Sequence, residues 1–133
     1  MTATTKWRGS CLCGAVRYRV DGALRSVVNC HCSQCRKQTG HFMAATAAGK
    51  ADFQLLEDRG LAWFRASDFA RRGFCRDCGS TLFWERDGAD YVAIAAGSID
   101  GATGLESVAH IYCADKGDYY TLEDGLPQYP EGD

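Results

Sequence analysis

Three thiols fall within six residues in Cys30-His31-Cys32-Ser33-Gln34-Cys35. Packing does not ask for that density, because a buried cysteine behaves as a small apolar residue and needs no thiol neighbours. Sulfurs two and three residues apart suit one shared metal ion. With residues 30–32 extended, Cys30 and Cys32 point to one side and His31 to the other. Ser33 is the expected N-cap of a short helix, which places Cys35 in its first turn. There, free backbone N–H groups and the helix dipole favour thiolate over thiol. No fourth ligand stands nearby in the sequence. Three ligands and a gap is the pattern of a reactive zinc site, whereas structural sites fill all four positions.

A second set is spread along the chain. Cys75-x-x-Cys78-Gly79 has the form of a zinc knuckle, in which Gly79 permits the tight backbone that turns N–H groups toward sulfur. Cys11-x-Cys13 offers another pair on one side of an extended segment. Two plus two makes a closed four-sulfur tetrahedron joining the first strand to the middle of the chain, a cross-link that also restricts the unfolded chain. Spacing alone leaves a different partition open, with Cys11 and Cys13 sharing a site with the 30–35 thiols. A redox role for the Cys75/Cys78 pair would call for a thioredoxin-like βαβ pattern, which the flanking sequence lacks. Cys113 is the odd sulfur and is expected as a core or strand residue.

The ligand set selects the chemistry. Three thiolates around Zn²⁺ sum to a formal charge of about −1 and make a weaker Lewis acid than imidazoles do. Water activation then becomes less attractive than binding a soft external thiol and presenting it to an electrophile such as a small aldehyde. His31 is expected to hydrogen-bond behind the ligands or to be exposed, His41 to face the site, and His110 to be satisfied and half-buried in a late strand. Arg65, Arg71, Arg72 and Arg76 cluster beside the knuckle and Arg36-Lys37 beside the three thiols. The plain expectation is a solvated basic face. The functional alternative is capture of carboxylates on a small acidic thiol such as glutathione.

These residues need a scaffold. The 133 residues, 46% hydrophobic, suit one domain over 1–133 with its core at about 7–128. A net charge of −2 argues against a nucleic-acid binder relying on bulk charge. No apolar run reaches the roughly 18–20 residues that cross a bilayer. Met1–Lys6 reads as a polar leader without the apolar core of a secretion signal, so the cytoplasm is the expected compartment and reduced thiols the expected state. Val16, Tyr18 and Val20 alternate with Arg17 and Arg19 as a half-buried strand. Further strands are expected within 24–30, 41–56, 61–66, 81–85, 91–95 and 108–113, with Gly49 and Asp58-Arg59-Gly60 as breaks and Phe42, Phe53, Leu55, Trp63 and Phe64 in the core. A short helix runs from Ser33 to Gln38 or Thr39, stopped by Gly40. The expectation is a mainly β, mostly antiparallel domain with at most a short helix or two.

Gly9-Ser10-Cys11-Leu12-Cys13-Gly14-Ala15-Val16, then the run from Cys30 to Gly40, then Gly73-Phe74-Cys75-Arg76-Asp77-Cys78-Gly79-Ser80-Thr81-Leu82 resemble the glutathione-dependent formaldehyde-activating enzyme family, which also includes the domain of centromere protein V. His110-Ile111 through Asp124-Gly125-Leu126-Pro127 resembles the family's ending. All seven motif cysteines are in place and in order. The resemblance implies a zinc-stapled β-tent fold of antiparallel sheets. It also implies a structural zinc on Cys11, Cys13, Cys75 and Cys78, and a catalytic zinc on Cys30, Cys32 and Cys35. The implied reaction is a carbon–sulfur lyase step that forms or cleaves S-hydroxymethylglutathione, with glutathione as co-substrate. Expected partners are therefore a small-molecule thiol and an aldehyde, with no nucleic acid and no membrane. The chain is shorter than the family's named enzyme, and Cys113 and Asp118-Tyr119-Tyr120 depart from the residues usual there. Two rivals stand beside this expectation: a zinc-stabilised binding module without turnover, and a methionine sulfoxide reductase-like enzyme. The second would need Cys113 exposed with a lowered pKa.

Overall fold

The computed structural model describes residues 6–132. In chain order its elements are β1 (Lys6–Ser10), β2 (Arg17–Asp21), β3 (Val27–Cys30), α1 (Ser33–Thr39), β4 (Met43–Gly49), β5 (Phe53–Glu57), β6 (Leu61–Phe64), β7 (Ala70–Cys75), β8 (Thr81–Arg86), β9 (Tyr91–Ala95) and β10 (Ser107–Ile111). The strands form two sheets, ordered β1-β2-β5 and β10-β3-β4-β9-β8-β7-β6. The mainly β architecture with one short helix is as the sequence led us to expect.

The alternation in β2 sets the core. Val16, Tyr18 and Val20 are fully buried while Arg17 is exposed. Tyr18 lies 5.6 Å from the Phe53 ring of its own sheet and 5.4 Å from Phe83 of the larger one, so its ring ties the two layers together. Leu82, Phe83, Val92 and Ile94 complete the buried cluster, against which Phe53, Leu55 and Trp63 pack. Each fully buried ring or branched chain contributes about 1.5–3 kcal/mol. Tyr18 keeps its polar end satisfied, with its hydroxyl 2.6 Å from Ser98 Oγ.

Two expectations change and two hold in finer detail. Of the N-terminal stretch read as a polar leader, residues 1–5 lie outside the described residues. From Lys6 the chain is strand β1, paired with β2 from Lys6↔Asp21 to Ser10↔Arg17. The mostly antiparallel pattern holds, and among the strand pairs of the described residues the parallel one is β10 with β3. The chain reaches that edge only after a long crossover from β9, and it arrives in the direction β3 already has. Phe64, expected in the core, is 62% exposed at the end of the edge strand β6. The break expected at Gly49 is there: β4 ends at that residue, a 3-10 turn follows at Lys50–Asp52, and β4 and β5 join different sheets.

Candidate metal centres

The segment between β1 and β2 carries Cys11 and Cys13; the end of β7 and the turn after it carry Cys75 and Cys78. Their four sulfurs lie within 4.8 Å of one another. Cys13 Sγ is 3.7 Å from both Cys11 Sγ and Cys75 Sγ. Sulfurs about one tetrahedral ion at bonds of ~2.3 Å sit ~3.8 Å apart, whereas a disulfide closes at ~2.05 Å. The spacing therefore fits a shared zinc, and all eight cysteines are free thiols. Because Cys11 and Cys13 adjoin the smaller sheet and Cys75 ends a strand of the larger, the cluster joins the two layers.

The backbone is shaped around these sulfurs. The Val16 N–H donates to Cys11 Sγ at 3.2 Å. Gly79 has φ +80°, the left-handed conformation that glycine tolerates, and its N–H closes the knuckle on the Cys75 carbonyl at 2.7 Å. The Ser80 hydroxyl, followed by its N–H, pulls the Cys78 thiol down to about 5. Gly60 leaves room for the cluster, since a Cβ there would stand 2.6 Å from Ala15 Cβ and 2.9 Å from Cys75 Sγ.

The second cluster is built at the end of β3. Cys30 closes that strand opposite Met43 of β4 and beside Ile111 of β10. The helix cap differs from the sequence expectation: Cys32, not Ser33, is the N-cap, and its sulfur accepts the Cys35 N–H at 3.3 Å. Sulfur replaces the usual hydroxyl as the capping acceptor, and Ser33 becomes the first helical residue. Cys35 falls in the first turn, and Gly40 ends the helix at φ +82°. The sulfurs of Cys30, Cys32 and Cys35 lie within 4.8 Å of one another, with no fourth histidine, cysteine or carboxylate among the described residues grouped with them. The structure thus separates the seven sulfurs into four and three and rejects the mixed partition that spacing left open. Hydrogen bonds from Cys30 and Cys35, the Cys35 N–H and the charge of Arg72 together lower the Cys32 pKa against the cost of burial.

Arg72 is the residue that sequence reasoning missed. Of the arginines expected on a solvated face, Arg65 pairs with Asp87 at 2.9 Å, Arg71 lies over Trp63 and pairs with Glu85 at 2.7 Å, and Arg76 donates to the Arg59 carbonyl. Arg72 is 6% exposed. Its guanidinium donates to Cys35 Sγ at 3.5 and 3.6 Å, to Cys32 Sγ at 3.9 Å, and to the amide oxygens of Gln34 at 3.2 Å and Gln38 at 3.0 Å. Neighbouring strand residues face opposite ways, so Arg71 and Arg72 part company. Only the strand register tells which one turns inward.

His31 points away from the sulfurs into a buried network. Tyr120 Oη lies 2.6 Å from His31 Nδ1, His31 Nε2 lies 2.9 Å from His110 Nδ1, and His110 Nε2 lies 2.7 Å from Asp124 Oδ2. With both rings neutral, each N–H or O–H donates toward Asp124 and no group is left unsatisfied. Burial, then the nearby His110, Lys116 and His41, lowers His31 to about 4. His110 is fully buried rather than half-buried. His41 is exposed and stacks beside Tyr120, with ring centroids 4.3 Å apart. Cys113 lies beyond β10 in a 3-10 turn, and burial pushes its thiol up, opposite to the shift an attacking thiol needs.

Residues 6–115 match the model of the glutathione-dependent formaldehyde-activating enzyme family, and the chain belongs to that family. It is 29% identical over 117 residues to an uncharacterized lyase of Schizosaccharomyces pombe, covering 86% of this chain and 84% of the relative. A crystal structure of a Rhodobacter sphaeroides protein shares the fold with a TM-score of 0.62 at 23% identity, over 75% of this chain and 97% of that one. No helix among the described residues is long and apolar enough to cross a membrane.

Proposed function

We propose that this chain is a zinc-dependent carbon–sulfur lyase that forms or cleaves S-hydroxymethylglutathione or a closely related thiol–aldehyde adduct. Family membership and the lyase name of the yeast relative support the class. The observation that carries the proposal is the division of sulfurs into a set of four and a set of three, the smaller set having no fourth protein donor grouped with it. On this proposal, Cys11, Cys13, Cys75 and Cys78 hold a structural zinc, and Cys30, Cys32 and Cys35 hold a catalytic one. A zinc ion with an open position supplies a lowered pKa for an incoming thiol and keeps the resulting thiolate nucleophilic.

The chain's own residues shape that site. The helix N-terminus and Arg72 favour anionic sulfur at Cys32 and Cys35. Arg36 and Lys37 extend from the same helix and supply positive charge for the carboxylates of glutathione. The addition needs no oxidant. The S–H bond breaks, a carbon–sulfur bond forms, the carbonyl π pair moves to oxygen, and the proton released by sulfur ends there.

The test is exchange NMR of glutathione with formaldehyde, with and without the protein. The expected result is adduct formation faster than the spontaneous rate, lost in Cys32→Ser. Equal rates with and without a fully metal-loaded protein would overturn the formaldehyde assignment.

A further inference from the structure

A guanidinium buried to this degree is expensive unless an opposite charge faces it. Arg72 has no carboxylate among its hydrogen-bond partners, which are two neutral amides and two sulfurs. The five-donor fork is held from one side by Gln34 and Gln38, both on α1, and aimed at the sulfurs of Cys32 and Cys35. Among its hydrogen-bond partners in the described residues, the sulfurs are the groups that can carry negative charge. A divalent ion on three thiolates sums to about −1, and a fourth thiolate would bring the centre to about −2.

We propose that Arg72 is the counter-charge of the three-thiol centre: it balances the excess negative charge of the thiolates and so lets the site accept an anionic sulfur ligand. Arg72 acts through Cys32 and Cys35 and is therefore a positioning residue. The two glutamines serve it by fixing the plane of the guanidinium without neutralising it, as a carboxylate would. The substrate class that follows is a soft anion, a thiolate, in preference to a neutral ligand. This inference rests on the three-thiol cluster holding a metal and is independent of formaldehyde turnover.

The experiment uses the full chain loaded with cobalt(II), whose absorption reports sulfur ligation. Ion retention at each centre is measured by competition with a chelator, and 2-mercaptoethanol binding is followed by the change in the cobalt spectrum. Arg72→Gln removes the charge, and Arg72→Lys keeps it without the fork. Gln38→Glu leaves the arginine in place but sets a carboxylate beside its Nη1, now 3.0 Å from the amide oxygen. Arg72→Gln is expected to weaken retention at the three-thiol centre and thiol binding by about tenfold or more, with retention at the four-thiol cluster unchanged. Arg72→Lys should recover most of the loss, and Gln38→Glu should shift both readouts in the same direction as Arg72→Gln.

Equal retention in Arg72→Gln and Arg72→Lys would overturn the counter-charge role, as would equal loosening of both centres. Should Arg72→Gln fail to fold, Gln38→Glu decides, and wild-type retention and thiol binding in that variant would overturn the proposal. A wild-type protein that takes up only one ion per chain would instead remove the metal-centre reading on which this inference rests.

Discussion

At the scale of single residues, a packed site is recognised by what a small change displaces. Gly60→Ala puts a methyl group within contact of Ala15 Cβ and Cys75 Sγ, neither of which belongs to a flexible chain end. It should destabilise the protein by about 1–3 kcal/mol and loosen the four-thiol cluster, readable as a lower denaturation midpoint and faster metal loss to a chelator. Tyr18 offers a pH test. Burial, partly opposed by the bond to Ser98 and reinforced by the Asp100 charge, pushes its phenol up to about 12 from an ordinary 10. The folded state keeps this proton after the unfolded chain has lost it, so the contribution is complete below pH 10 and is lost as pH rises toward 12. Ultraviolet titration of wild type against Tyr18→Phe should reveal one late tyrosinate.

Residue types also decide what a sequence discloses. Three thiols in six residues have no packing explanation, so the cluster could be read as a metal site without coordinates. Arg72 could not be read this way, because it stands beside Arg71 with the same chemistry, and its inward face is set by pairing with β6 and β8. His31 lies between the two readings. Its direction away from the sulfurs follows from strand alternation, but its partners Tyr120 and His110 are 89 and 79 residues distant, and no local pattern joins them.

At the scale of elements, β3, α1 and β4 form one continuous device. The strand presents Cys30, the cap presents Cys32, the first turn presents Cys35, and the αL glycine returns the chain into β4. Gly40 has open space where a Cβ would stand, so Gly40→Ala meets only the conformational cost of φ +82°. That cost is about 1 kcal/mol. The expected outcome is a modest drop in thermal stability, with retention at the three-thiol centre falling more than at the four-thiol cluster. The strands of hairpins such as β8–β9 were legible because each apolar run is bounded by turn residues. The parallel β10–β3 pair was not, since parallel pairing depends on a distant crossover rather than on a local turn.

At the scale of the whole molecule, the two clusters have different structural duties. The four thiols join the two sheets, while the three thiols sit within one sheet and its adjoining helix. On the proposed assignment, a metal held at the first cluster would contribute folding free energy. Cys75→Ser or Cys11→Ser should unfold or aggregate the protein, and Cys32→Ser should preserve much of the fold while losing the second ion. Thermal scans compare them directly, and equal damage from both kinds of change would contradict the division.

The most direct measurement is zinc per chain by elemental analysis, on freshly purified wild type and on Cys32→Ser. Two ions are expected in the wild type and one in a still-folded Cys32→Ser. One ion per chain in both proteins would contradict that expectation, because the three thiols would then not hold the metal on which the proposed lyase chemistry depends.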